Sequence, residues 1–372
     1  MTAQEAAKLT DGPLAKSLAA LDNAFGVSGN EEEAAAAFYA EMSAEGGLFD
    51  ERFSDALGNQ FYVRYGKSHG TAGEKRLMFA AHLDEIGFVI KYIEDEGFAR
   101  IFPVGYHDER LLVNQDLVFN TIAGQKIRGV TGAKPFHCLT SAEKEKTFGI
   151  ADVYVDFGTE SAGETRALGL EIGDLGGYAR AGFFLNGTDV YSGKAVDDRA
   201  GLAVLVEALR RLKGLDIFPD VCVVATTQEE VGMRAGGVVT NRWKPDEFFA
   251  LDVTLTGGAP GLDYRDAACK MGGGVCVKCF DWDPVITCGN SVSRALTARM
   301  TAAAKKHSIP FQYEVLMGGG TDGWTASLAN CGTLAGGISI PSRYIHTAVG
   351  AVTLRDLDYC AAFVSHYVQD YR

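Results

Sequence analysis

The sequence predicts an α/β protein in which a mostly parallel sheet is flanked by helices and interrupted by an inserted β-rich module. Short, almost wholly apolar runs alternate with segments in which apolar residues recur every three to four positions, a pattern typical of buried strands between helices. The predicted strands are RLMFAAH (76–82), VCVVAT (221–226), EFFALD (247–252), FQYEVLM (311–317) and TLAGGISI (333–340). Because these runs are apolar on both faces, we expect helices to cover both sides of the sheet.

Four segments carry the helical pattern. The first follows Asn30, which we expect to be the N-cap before Glu31–Glu33 and an alanine-rich stretch, with the acidic side chains favouring the helix dipole. The other predicted helices are 198–213, 289–307 and 354–371.

Residues 86–186 follow a different pattern. Their strands alternate apolar and polar residues, are separated by glycine turns and show little helical periodicity. Because the α/β pattern resumes afterwards, we expect two domains: residues 1–85 together with 187–372, and an insertion at 86–186.

Composition and charge narrow the possible functions. The chain has 372 residues, of which 47% are hydrophobic and 22% charged, as in ordinary globular proteins. Its net charge of −13 argues against nucleic acid or an anionic membrane as a partner and suits a protein that binds cations. We expect no signal peptide, because the N-terminal stretch has no basic segment followed by an apolar core. No apolar run approaches the ~18 residues of a membrane span, so we expect a cytoplasmic protein.

Eight cysteines raise the question of zinc or redox chemistry, because Cys276 and Cys279 form a CxxC motif. The motif lies in GGGVCVKCF, which is typical of a strand, where these two positions face opposite sides. No second CxxC follows. We therefore expect reduced thiols that serve packing, including the two cysteines of this motif.

Histidine and acidic side chains follow four of the predicted strands, at or just beyond their carboxyl ends. They are His82, the pair Glu229 and Glu230, Asp252, and His346. A further acidic pair, Asp197 and Asp198, opens a predicted helix. Ligand sites in open α/β sheets form at this edge.

Histidines combined with several carboxylates favour zinc, cobalt or manganese, and the excess of carboxylates favours two ions over one. Each residue alone has a simpler explanation, such as a surface histidine, a helix N-terminus or a turn. Their joint position favours a metal site. His82 and Asp84 lie on the same face of a strand, so we expect the Asp84 carboxylate to accept the second ring N–H of His82.

Six motifs in this order and spacing resemble metallopeptidase family forty-two, which comprises glutamyl, leucyl, lysyl and deblocking aminopeptidases of the tetrahedral type. Some relatives have carried the label endoglucanase. The motifs are HLDEIGF (82–88), KAVDDRAG (194–201), QEEVGMRAG (228–236), ALDV (250–253), GGGTDG (318–323) and RYIHT (343–347). The resemblance covers nearly the whole chain, and it implies a zinc aminopeptidase fold of the phosphorylase-like kind.

The resemblance also implies roles for individual residues. His82, Asp197 and Asp252 would hold one divalent ion, and Asp197, Glu230 and His346 would hold a second, so that Asp197 bridges two ions of Zn, Co or Mn in each subunit. Glu229 would be the general base for a water shared by these ions, and Asp84 would be the second partner of His82. The GGGTDG segment would line the substrate side.

For the assembly, the resemblance implies that the β-barrel-like insertion is a dimerisation domain and that dimers form a dodecamer. The substrates would be short peptides. Two alternatives to a metal-dependent aminopeptidase are a glycoside hydrolase that uses paired carboxylates and a non-catalytic metal-binding assembly protein. Acidic, basic and aliphatic side-chain preferences all occur in the family, and the motifs do not choose among them.

Overall fold

The computed structural model describes residues 3–146 and 149–372. Its helices of five or more residues are α1 (Ala3–Thr10), α2 (Pro13–Asn23), α3 (Glu32–Ser43), α4 (Ser141–Glu145), α5 (Ala162–Ala167), α6 (Val196–Leu212), α7 (Ala235–Trp243), α8 (Arg294–Lys306), α9 (Gly323–Ser327) and α10 (Leu354–Asp370). Its strands are β1 (Glu51–Ser54), β2 (Gln60–Arg64), β3 (Arg76–His82), β4 (Gly87–Ile93), β5 (Ala99–Val104), β6 (Asp116–Asn120), β7 (Lys126–Thr131), β8 (Tyr154–Asp156), β9 (Leu175–Tyr178), β10 (Phe183–Phe184), β11 (Val190–Gly193), β12 (Asp220–Thr226), β13 (Glu247–Leu255), β14 (Val275–Trp282), β15 (Phe311–Met317), β16 (Leu334–Arg343) and β17 (Gly350–Thr353).

The large sheet has a parallel centre and antiparallel edges. Its main path is β1-β2-β12-β3-β13-β16-β17-β11-β10, and β14 connects β16 to β15. Strands β12, β3, β13 and β16 run parallel, whereas β2, β14 and β17 pair antiparallel with their neighbours in this centre. The predicted mostly parallel α/β sheet is therefore confirmed in the region that carries the candidate ligands.

Burial explains why the central runs form strands. Every residue of β12 is buried, as are all residues of β3 after Arg76, because helices cover both faces. On one face, Leu202 and Leu205 of α6 belong to the main core, where the Phe79 and Phe249 rings stack at 5.2 Å. Each such side chain contributes roughly 1.5–3 kcal/mol to stability when it is fully buried.

A closed barrel is inserted into the chain shortly after the end of β3. Its strands follow the order β4-β5-β8-β7-β6-β9, with β9 pairing back onto β4, and it has its own core around Ile101, Leu117 and Phe119. This confirms an inserted β-barrel. The barrel strands lie within the predicted insertion 86–186, whereas Phe183–Phe184 pairs with β11 of the large sheet; the domain boundaries themselves stay a prediction.

Two predicted helix starts differ from the structure. The predicted N-cap Asn30 is wrong, because α3 starts after Glu31 and the Asn30 side chain accepts a hydrogen bond from Asn120 of the barrel. The predicted helix 289–307 starts only at Arg294, because the backbone of Asn290 pairs with Asp281.

The predicted buried strand 311–317 lies at a sheet edge as β15. Pairing through β14 alone leaves alternate side chains of β15 uncovered, and Tyr313, Val315 and Met317 are 55–59% exposed. Apolar composition therefore predicted the strand correctly but not its position in the sheet.

The CxxC motif lies in β14, as expected. Cys276 is buried and Cys279 is partly buried, beside a register shift in the pairing of β14 with β15. Both thiols are free. No described helix combines the length and hydropathy that a membrane span requires.

Candidate metal centre

The predicted ligand side chains converge near the carboxyl ends of the central parallel strands. His82 is the last residue of β3, and Glu229–Glu230 follow the end of β12, which pairs with β3. Asp252 lies in β13, the other neighbour of β3. Asp197 lies at the start of α6, and His346 follows β16. The alternating strand and helix order thus brings together residues that are far apart in the chain.

Asp197 occupies the centre of the cluster. Its Oδ1 atom lies 3.0 Å from His82 Nε2, and its Oδ2 atom lies 3.4 Å from His346 Nε2. Glu230 Oε2 lies 3.2 Å from the same His346 nitrogen, and Asp252 Oδ1 lies 3.9 Å from His82 Nε2. The five side chains thus form two groups that share Asp197.

The adjacent Asp198 is buried but binds backbone amides. Its Oδ1 atom accepts a hydrogen bond from the Gly201 amide at 2.9 Å, and its Oδ2 atom accepts one from the His82 amide at 3.2 Å. Candidate ligand atoms of His82, Asp198 and Asp252 lie within 4.8 Å of one another. Because both oxygens of Asp198 already accept amide hydrogens, we favour Asp197 as the metal ligand of this pair.

Asp84 contacts His82 through a different atom from the one expected. His82 Nδ1 lies 3.0 Å from the Asp84 backbone carbonyl and 3.6 Å from the carboxylate. The carboxylate instead accepts hydrogen bonds from Ser28 Oγ at 2.6 Å and from the amides of Glu229 and Glu230 at 3.0 and 3.1 Å. The carbonyl of Asp84 therefore orients the histidine, while its side chain positions the glutamate pair.

Burial and close charges shift the pKa values of the cluster in opposite directions. Burial raises the pKa of Glu229, Glu230 and Asp252. Burial also favours a higher pKa for Asp197, but hydrogen bonds with the two histidines hold its pKa below the usual range. Burial alone would lower the pKa of these histidines, yet the neighbouring carboxylates raise it. Such a concentration of buried acids is stabilised by a cation.

The chemistry of the cluster fits a divalent metal ion. Glu229 Oε1 and Glu230 Oε1 are buried and have no hydrogen-bond partner among the described residues, an arrangement that costs about 1–3 kcal/mol unless a ligand or water is bound. Candidate ligand atoms of His82, Asp197 and Glu230 lie within 4.8 Å of one another. Imidazole nitrogen and carboxylate oxygen are the donors that zinc, cobalt and manganese accept.

A second buried layer beneath the cluster was not found by sequence reasoning. Lys194 Nζ donates to both carboxylate oxygens of Glu85 at 2.6 and 2.7 Å, and Arg199 Nη2 lies 3.8 Å from the same carboxylate. Glu85 also accepts the Gly26 amide at 3.0 Å. Glu85 lies in the same motif as His82, and Lys194 and Arg199 lie in the same motif as Asp197. Charged residues inside these otherwise buried stretches could have indicated a buried ion pair.

The glycine-rich segment 318–323 has two parts. Gly318–Gly320 line a cavity of ≈ 260 Å³ beside the cluster, together with Asp197, Glu229 and His346. Asp322 is buried instead, and its Oδ1 atom accepts the Gly236 amide at 2.9 Å. The first part of the segment therefore borders the expected substrate side. The second part binds the start of α7 through the Gly236 amide.

A third group of candidate ligands lies elsewhere. His69, Glu74 and Asp220 meet at the amino ends of β3 and β12. His69 Nδ1 lies 2.7 Å from Asp220, and Glu74 forms an ion pair with Arg76. Glu74 is thus compensated by Arg76, and Asp220 accepts a further hydrogen bond from the Gly66 amide at 2.8 Å, so we assign no metal ion to this group.

Replacing Asp84 with asparagine is expected to lower kcat roughly 10- to 100-fold while the protein stays folded. The amide nitrogen of asparagine cannot accept a hydrogen bond, so one of the amide contacts to Glu229 or Glu230 is lost. Steady-state kinetics on the metal-loaded variant would measure the effect. A kcat equal to that of the wild type would contradict a positioning role for Asp84.

Comparison with known proteins agrees with this geometry. The family model described as M42 glutamyl aminopeptidase matches residues 63–363. The chain is 31% identical over 296 residues to a glutamyl aminopeptidase of Lactococcus lactis subsp. cremoris, with 79% of each chain covered. It is similar in structure to an aminopeptidase from the archaeon Desulfurococcus kamchatkensis (32% identity, TM-score 0.88, 96% of this chain and 95% of that chain). It is also similar to a Pyrococcus horikoshii TET1 peptidase that can assemble into a tetrahedron or a large octahedral shell (28% identity, TM-score 0.83, 96% and 100% covered).

Proposed function

The chain belongs to the M42 glutamyl aminopeptidase family, and from this premise we propose that it removes N-terminal residues from short peptides with two divalent metal ions and Glu229 as the general base. It is a metal-dependent peptidase. The number of ions, the role of Glu229 and the assignment of each ligand are the proposal.

The position of Asp197 carries the proposal of two ions. Its two carboxylate oxygens face different histidines, Oδ1 toward His82 and Oδ2 toward His346. A carboxylate shared in this way is typical of paired-metal hydrolytic sites. We assign His82, Asp197 and Asp252 to one ion, and Asp197, Glu230 and His346 to the other.

Glu229 is the residue that we assign to proton transfer. It lines the cavity, its Oε1 atom has no hydrogen-bond partner among the described residues, and its amide is held by Asp84. Divalent ions at such a site supply Lewis-acid polarisation of a carbonyl and lower the pKa of water. Glu229 takes a proton from the attacking water at a carboxylate oxygen and passes it to the leaving amine.

The same cavity suits the free amino terminus of a peptide. Two divalent ions would compensate the carboxylates of Asp197, Glu230 and Asp252, which leaves the carboxylate of Glu229 to favour a cation in the cavity. An amino group that enters the cavity places the first peptide bond next to Glu229, which accounts for cleavage at the N-terminus.

Removal and return of metal test the proposed function. Treatment with EDTA is expected to abolish hydrolysis of leucine p-nitroanilide, and addition of zinc, cobalt or manganese is expected to restore it. A glycosidase needs only two carboxyl groups around the sugar bond and no metal. Activity that survives complete removal of metal, or hydrolysis of a glucan in its place, would refute the proposal.

We also propose that dimers assemble into a dodecamer, with the barrel inserted at 86–186 as the dimerisation domain. The exposed apolar side chains of β15 and the assemblies of the similar Pyrococcus horikoshii peptidase support a homo-oligomer. Light scattering on the purified protein measures the mass, and a monomer at micromolar concentration would refute this assembly.

A further inference from the structure

The cavity beside the metal cluster combines a negative lining with apolar walls. Among the described residues that line it, the only side chain able to carry a positive charge is His346, and no lysine or arginine is present. Met233, Leu255, Ile286 and Leu316 contribute apolar surface. A volume of ≈ 260 Å³ lies just below the roughly 300–1,000 Å³ of typical small-molecule pockets, so the cavity suits one amino-acid side chain.

One carboxylate of the lining has no part in the metal cluster. Asp283 follows β14, is 5% exposed and lines the cavity. Its Oδ1 atom accepts the amides of Val285 at 2.7 Å and Ile286 at 3.2 Å. Its Oδ2 atom makes no hydrogen bond to a described residue, and no described cationic side chain lies within 4.0 Å of the carboxylate.

Asp283 shares the cavity with an aromatic residue that lies beside the metal cluster. Tyr106, which follows β5 of the barrel, also lines the cavity, and its ring centroid lies 6.5 Å from that of His346. Burial, followed by the charge of Asp283, raises the pKa of Tyr106. Tyr106, His346 and Asp283 thus line one cavity, so Asp283 lies in the pocket that the metal cluster borders.

We propose that this cavity selects peptides that begin with lysine or arginine and that Asp283 binds the cationic end of that first side chain. This proposal rests on the aminopeptidase function proposed above. The methylene stem of a lysine or arginine side chain packs on Leu255, Ile286 and Leu316, as such stems do on apolar surfaces. Its charged end then forms an ion pair with the Asp283 carboxylate, which has no other cationic partner among the described residues.

The same lining disfavours an acidic first residue. A glutamate side chain in the cavity would face the Asp283 carboxylate, and no lysine or arginine among the described residues lines the cavity to compensate the two negative charges. The carboxylates of the metal cluster are left out of this comparison, because bound divalent ions would compensate them. Like charges in a poorly solvated site repel strongly. An uncharged aliphatic residue packs on the walls but leaves the Asp283 carboxylate without a partner, so we expect it to be a weaker substrate.

The competing explanation is that Asp283 serves only its own turn, since Oδ1 accepts two backbone amides there. The substitution Asp283→Asn separates the two roles, because asparagine keeps the Oδ1 acceptor and loses the charge. Asp263→Asn is the matched control. Asp263 also accepts an amide of its own turn, from Arg265 at 2.8 Å, but lies in an exposed loop outside the cavity.

The experiment compares kcat/KM of the metal-loaded, full-length enzyme for the p-nitroanilides of lysine, norleucine and glutamate. Norleucine has the carbon chain of lysine without the ammonium group. We expect the wild type to prefer lysine to norleucine and to cleave the glutamate substrate least. Asp283→Asn is expected to lower kcat/KM for lysine roughly 10- to 100-fold and to change the value for norleucine less than 3-fold. Asp263→Asn should change neither.

Equal kcat/KM for lysine and norleucine in the wild type, or an equal loss for both in Asp283→Asn, would overturn the proposal. Binding of lysinol and norleucinol, measured by calorimetry on the same proteins, distinguishes this failure from failure of the peptidase function. If no anilide is cleaved, tighter binding of lysinol that Asp283→Asn removes would still support the cation site. Equal binding of the two amino alcohols would overturn it.

Discussion

Replacing Glu229 with glutamine is expected to lower kcat roughly 10²- to 10⁴-fold, the range that general acid–base catalysis contributes. Glutamine has nearly the same size but cannot accept and return the proton. The amide contact from residue 229 to Asp84 involves the backbone, so the substitution leaves it in place. Kinetics and metal analysis on the same sample would test this, with the metal content expected to equal that of the wild type.

A buried glutamate far from the cluster provides the control for this variant. Glu247 is 2% exposed, lies at the first position of β13 and bonds to Tyr367 Oη at 2.6 Å. Glu247→Gln is expected to lower thermal stability without lowering kcat of the folded enzyme. If Glu229→Gln binds its full complement of metal and keeps wild-type activity, the base must be another residue.

The arrangement of the candidate site could be predicted largely because parallel strands end at one edge of a sheet. The run before His82 is buried on both faces, and so is the run before Glu229, which places both in the centre of the sheet. Residues that follow such strands meet at the same edge whatever their separation in the chain. Pattern alone therefore brought His82, the glutamate pair and Asp252 together.

Individual contacts were beyond this reasoning, because strand alternation specifies a face and not an atom. Asp84 lies two residues beyond the end of β3, and its backbone carbonyl lies closest to His82 while its carboxylate binds the loop of Glu229. For β15, hydrophobic composition could not distinguish a central strand from an apolar edge, a distinction that depends on pairing partners. Asp283 follows β14, which pairs antiparallel with β16, so the rule that parallel strands end at one edge of the sheet could not have placed it beside the cluster.

Replacing Asp197 with asparagine is expected to lower activity about 10³-fold or more and to reduce the metal content below that of the wild type. The reason is that both of its oxygens face candidate ligand groups, Oδ1 toward His82 and Oδ2 toward His346. Asparagine retains one neutral acceptor and presents N–H groups in place of the other. Paired ions contribute several kcal/mol to stabilising the transition state, and each 1.36 kcal/mol corresponds to a factor of ten.

Two further variants make this prediction specific to a shared ligand. Asp252 Oδ1 lies 3.9 Å from His82 Nε2, and Glu230 Oε2 lies 3.2 Å from His346 Nε2, so each is assigned to a single ion. Asp252→Asn and Glu230→Gln are therefore expected to lose one ion each, whereas Asp197→Asn weakens both. Metal analysis after dialysis, with thermal unfolding to confirm that each variant is folded, measures the difference. Retention of two tightly bound ions by folded Asp197→Asn would refute the bridging role, because a bridging carboxylate cannot be neutralised without weakening both sites.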